Sequence, residues 1–188
     1  VPWKESAPIS PLGVYGRSKA EGEKLVRKAL DNHIILRTAW MFGIHGNNFV
    51  KTMLRFADSK EPVRVVADQL GSPTCAEDLA AAIFDILQAV QNGNGQARKW
   101  GTYHYCNRGM ASWHSFAEAI FRCAQKVTGH PSVSVEAITT DQYPTAARRP
   151  AYSVLDCTKI ENTFGIIPPL WQESLEKTVK VLLARTAA

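Results

Sequence analysis

In the stretch VYGRSKAEGEKLV, Tyr15 stands four residues ahead of Lys19. On a helix that spacing puts both side chains on one face, where they can address one reacting centre. A phenol, with a reference pKa of roughly 10, is a poor acid at neutral pH, and a neighbouring ammonium favours its phenolate. The pair therefore has the chemistry of a proton donor and its tuner. An ordinary aromatic and a solvated cation can share the same spacing, so its surroundings must decide. Two other groups suit anionic ligands. Arg149, in RRP, carries a guanidinium that can grip phosphate oxygens in bidentate fashion, with Arg148 as a plain surface cation. Asn47 and Asn48 open a helical pattern, where an amide side chain and free backbone N–H groups suit either a cap or a diphosphate.

The elements that must position these residues follow from periodicity. Apolar spacing predicts a helix from about Leu12 to Asp31, and HIILRTAW next to it reads as a buried strand. That order is the cadence of a parallel α/β sheet. Trp40 follows this strand at its carboxyl end, where such sheets place ligands. A glycine- and asparagine-rich loop then feeds a helix, FVKTMLRFADSK; VRVVA reads as a strand and DQLGSPT as a loop. AEDLAAAIFDILQAVQ is a strongly amphipathic helix, and the segment from Asn92 to Gly101 reads as a linker. Beyond it come a strand, TYHYCN, a helix opening with Ser112, a strand, SVSVEAI, and an irregular proline-punctuated stretch. Helices at about Thr158–Phe164 and Leu170–Ala184 close the chain. Trp113 and His114, at the start of the Ser112 helix, read as packing or capping residues.

Composition bounds the alternatives. The 188 residues are 45% hydrophobic and 21% charged, an ordinary globular profile. No apolar run reaches membrane-spanning length, and the first residues lack a signal-peptide pattern, which points to the cytoplasm. The net charge of +5 comes without the dense basic run of a nucleic-acid track, and an anionic small substrate explains it equally well, as does a plain solvated surface. Cys75, Cys106, Cys123 and Cys157 form no ligand pattern and read as buried thiols. His33, His45, His104 and His130 show no metal-ligand spacing, so no metal is expected. No GxGxxG or GxxGxxG turn follows a strand anywhere in the chain.

Five blocks, PLGVYGRSKAEGE, RTAWMFGIHGNNF, DQLGSPT, SWHSFAEAIF and YPTAARRPAYSVLDCTKI, closely resemble, in this order, the dTDP-4-dehydrorhamnose reductase family. That family lies among the extended short-chain dehydrogenases/reductases. The resemblance implies an α/β fold: the C-terminal part of an NAD(P)-binding Rossmann fold, plus a small α/β substrate-binding domain. Residues 1–92 would belong mainly to the first unit and 93–188 mainly to the second, with the two interleaved. It implies NADPH or NADH as cofactor and reduction of the 4-keto group of dTDP-4-dehydro-6-deoxy-L-mannose to dTDP-L-rhamnose. Tyr15 would protonate the C4 oxygen, and Lys19 would hold the nicotinamide ribose and favour the Tyr15 phenolate. Trp40 would lie against the deoxysugar, Gln69, Gly71 and Thr74 beside the nucleotide, and Asn48 and Arg149 at the diphosphate. Met41 and Phe42 depart from the family's usual Val-Tyr, which removes one phenol hydroxyl.

Such enzymes also use a Ser or Thr upstream of the tyrosine. Here only Ser6 and Ser10 precede Tyr15, too close to it to fill that role. The resemblance therefore implies the C-terminal portion of a longer reductase, lacking on the order of 100 residues and inactive by itself. Its expected partner is the dTDP-sugar, with no nucleic acid or membrane, and with a homodimer left open. A non-catalytic regulatory subunit of the same superfamily, or a sister epimerase or dehydratase, is the rival reading.

Overall fold

The structure, a computed structural model, describes residues 1–57, 59–92, 99–129 and 133–186. Most of the expected linker and His130 lie outside the described residues. Helix α1, Val14–Ala29, is shorter than its apolar pattern suggests, because Gly13 and Leu30 both take extended backbone at its ends. None of its residues is buried. It is tied down through Glu23, which accepts from Arg37 Nη2 at 2.6 Å and from Arg27 Nη2 at 3.0 Å. Arg27 also donates to Thr102, so the helix is fixed to two strands by polar contacts.

Those strands are β1, Ile34–Arg37, and β6, Gly101–His104, which pair in parallel. Helix α3, Ala76–Asn92, and helix α5, Thr158–Phe164, bury Ala82, Ile86 and Ile160 against Tyr103 and Tyr105 on this pair. The parallel α/β expectation holds here: helices alternate with strands and cover the pair.

A second, larger cluster forms around helix α4, Trp113–Thr128, which packs on α2, Phe49–Leu54, and on α6, Trp171–Thr186. Phe116, Ile120, Leu175 and Val179 are fully enclosed there, each worth about 1.5–3 kcal/mol of burial. The strands β3, Val63–Val66, and β8, Val135–Ile138, pair in parallel against it. Ser112 starts α4 as read from sequence. Its hydroxyl accepts from Ser115 N while the Ser115 hydroxyl accepts from Ser112 N, and Gly129 closes the helix at φ 74°. Both clusters draw on residues before and after position 92.

The differences from the sequence reading are local. Helix α2 ends at Leu54, where the chain tightens into i→i+3 bonds through Phe56 and Ala57, instead of running on to Lys60. DQLGSPT, expected as loop, holds two short strands, β4 (Leu70–Gly71) and β5 (Thr74–Cys75). β4 pairs antiparallel with β7, Ala111–Ser112, and β5 pairs parallel with β2, Met41–Phe42. Two residues carry no detectable period, so only tertiary pairing reveals such strands.

Candidate functional site

On α1, Tyr15 and Lys19 face solvent together. Tyr15 is 76% exposed, and the Lys19 ammonium lies 5.4 Å from its ring centroid. The helix is registered on β1 by the Glu23–Arg37 pair, with Arg37 the last residue of the strand. Arg37 is the chief cause holding the Glu23 carboxyl below the usual carboxylate range, with Arg27 adding to it.

Three residues beyond Arg37, Trp40 adopts φ 45°, a left-handed conformation that costs a bulky residue strain. Its indole stacks on that of Trp113, with centroids 3.6 Å apart and planes 9° from parallel. Gly71 packs on the same indole: a Cβ there would stand 2.3 Å from Cε2, 2.6 Å from Nε1 and 2.7 Å from Cζ2. With Cε2 nearest and its two bonded neighbours slightly farther, that position lies over the ring, on the face Trp113 leaves open. The Arg149 guanidinium sits 5.9 Å from the Trp113 centroid, and the Phe49 ring leans on Trp113 at 4.8 Å. Backbone bonds from Leu70 N to Ala151 O and from Ser153 N to Leu70 O, both 2.8 Å, bring the Arg149 segment to this place.

Trp40 and Arg149 thus come together through Trp113, a residue the sequence reading set aside as packing. Its position at the first turn of a capped helix, followed by the apolar period, gave no signal that its ring would face another tryptophan. His114 does behave as a packing residue, its Nε2 lying 3.2 Å from Val135 O. The other candidates each make hydrogen bonds within the protein. Thr74 is fully buried beside Trp40, and its N–H donates to Trp40 O. Gln69 is buried and donates to Thr140 Oγ1 at 3.0 Å. Asn48 caps α2, accepting from Lys51 N and donating to Gly43 O. These bonds fix the loops that carry all three residues. No hydrogen bond or ring contact among the described residues joins the Tyr15–Lys19 pair to the stack.

Elsewhere, Cys106 and Cys157 bring their sulfurs to 3.5 Å, and burial pushes the Cys75 thiol up to about 11. No group of three or more His, Cys, Asp or Glu side chains able to hold a metal occurs among the described residues. No described helix is long and apolar enough to cross a membrane.

Residues 1–184 match the family described as "RmlD substrate binding domain". A protein of Sinorhizobium fredii named dTDP-4-dehydrorhamnose reductase is 45% identical over 97% of the chain and 61% of its own length. One of the same name from Aggregatibacter actinomycetemcomitans is 49% identical over 93% of the chain and 59% of its length. The crystal structure of dTDP-4-dehydrorhamnose reductase from Bacillus anthracis, in complex with NADP, superposes with a TM-score of 0.82 at 36% identity. It covers 94% of this chain, which in turn spans 58% of that one. The chain therefore spans about three-fifths of the length of the relatives it matches. With the match running through both the α1 pair and the tryptophan stack, the chain belongs to the RmlD substrate binding domain family.

Proposed function

We propose that these residues form the substrate side of an NAD(P)H-dependent reductase that converts dTDP-4-dehydro-6-deoxy-L-mannose to dTDP-L-rhamnose. The observation that carries this reading is the pair of relatives at 45% and 49% identity that bear that enzyme's name. The chain's own fit to a nicotinamide cofactor rests on α1, where Tyr15 and Lys19 stand exposed on one face with no competing ion pair among the described residues. The reduced cofactor supplies a hydride to the C4 carbon. Tyr15 gives its phenolic proton to the C4 oxygen as negative charge develops there, and Lys19 stabilises the phenolate that remains. Arg149 grips the diphosphate, and Trp40 borders the deoxysugar. Asn48, Gln69 and Thr74 hold the loops that carry these contacts. Binding energy from the nucleotide end then orients the keto carbon at Tyr15. Homodimerisation and a cytoplasmic location are compatible with this reading.

The test is Tyr15→Phe in a polypeptide that joins these residues to a cofactor-binding portion. Turnover should fall by about 10²–10⁴-fold with KM nearly unchanged, since the lost proton acts only in the transition state. Equal turnover by the two proteins would remove Tyr15 from the mechanism.

A further inference from the structure

Trp113 stacks on Trp40 with the Arg149 guanidinium 5.9 Å from its ring centroid, and one antiparallel strand pair positions both ends of this cluster. β4 supplies Gly71, which covers the far face of Trp40. β7 ends at Ser112, the residue before Trp113 and its helix cap. The register Leu70↔Ser112 and Gly71↔Ala111 sets the two jaws against each other across the indole. The Leu70 backbone also bonds to Ala151 and Ser153, so the same strand fixes where Arg149 begins. Trp40 holds a left-handed backbone conformation, which persists only where its surroundings over-determine it.

Resting on the function proposed above, we infer that Trp113 is a positioning residue for substrate binding. It clamps Trp40 against Gly71, so the indole offers its edge, not a face, to the sugar. Through its ring it also holds the Arg149 guanidinium, 5.9 Å from the centroid, toward the diphosphate. Trp113 touches no reacting atom. Its loss releases two binding groups at once, and the effect falls on substrate affinity.

Steady-state kinetics of the longer enzyme, with the dTDP-keto sugar varied and NADPH saturating, test this. KM should rise about threefold in Trp113→Phe, which keeps a smaller flat face, and about thirtyfold in Trp113→Leu, with kcat within about twofold. Arg149→Ala combined with Trp113→Leu should lose less than the product of the two single effects, because both act on one group. Thermal midpoints accompany each variant; if the leucine protein does not fold, the phenylalanine protein decides by its KM alone. An unchanged KM, a loss confined to kcat, or fully independent effects of the two substitutions would each overturn the inference while the parent enzyme still turns over. An inactive parent enzyme defeats the functional reading itself, and the inference with it.

Discussion

At the scale of single residues, Gly71 is the most closely crowded glycine among the described residues. Any side chain there meets the Trp40 indole head on, and Trp113 at 3.6 Å behind it leaves no room for retreat. Gly71→Ala should therefore lower stability by about 1–3 kcal/mol, the usual range for overpacking. The measurable result is a lowered unfolding midpoint together with altered tryptophan fluorescence, since the stack must open to admit the methyl group. Retention of both signals would mean that the strand pair gives way more easily than the ring. The sequence showed GSPT as turn chemistry and RTAW as the end of a strand, but not that one glycine abuts the other block's tryptophan. Single residue types carry no information about a partner thirty positions away. For the same reason Tyr15 and Lys19 were legible, their relation being set by one helical turn, whereas Trp113 was not.

At the scale of elements, α1 shows how a helix can be placed without burying any side chain. Its hold on the sheet is the Glu23 carboxylate between Arg37 and Arg27, with the Glu23 side chain 15% exposed and that of Arg37 20%. Both partners shift in the direction of a real pair: Glu23 is held below its ordinary 4.5, and Arg37 above its ordinary value. A carboxyl depressed in the folded state contributes stability that is complete above its unfolded value and fades as pH falls through the folded one. Replacing Glu23 by Gln should cost about 1–2 kcal/mol at neutral pH after allowance for solvent screening. That difference should shrink as pH drops below 4.5. Thermal unfolding of both proteins across pH 7 to about 3 checks it, and a gap independent of pH would exclude the ion pair as the cause. Long elements were legible because their periods are sustained: α3, α4 and α6 lie within two residues of where the pattern puts them, and the Ser112 cap was visible as a cap. The two-residue strands were not, because pairing alone defines them.

For the whole molecule, surface area is the informative quantity. The chain exposes 11651 Å², whereas a compact monomer of 20.8 kDa is expected to expose about 8,900 Å². The excess of roughly 2,700 Å² is larger than one partner's share, about 800 Å², of a standard protein interface. Two helices contribute apolar side chains to that surface. Val14, Leu25 and Val26 are exposed on α1, and Ile83, Phe84 and Leu87 on α3, the helix that covers the β1–β6 pair. Among the described residues that pair joins two strands, with the parallel geometry that ordinarily sits inside a larger covered sheet. A polypeptide of these 188 residues alone should therefore self-associate, its apolar helix faces and open strand edges driving the contact. Sedimentation across a hundredfold range of concentration should give a mass that rises with concentration. Replacing Ile83, Phe84 and Leu87 together by Ser, Lys and Glu should move the distribution toward monomer while the far-ultraviolet helix signal persists, because these side chains already face solvent. A monomer at every concentration would mean that this surface is tolerated uncovered, and the helix faces would then lose their standing as contact surfaces.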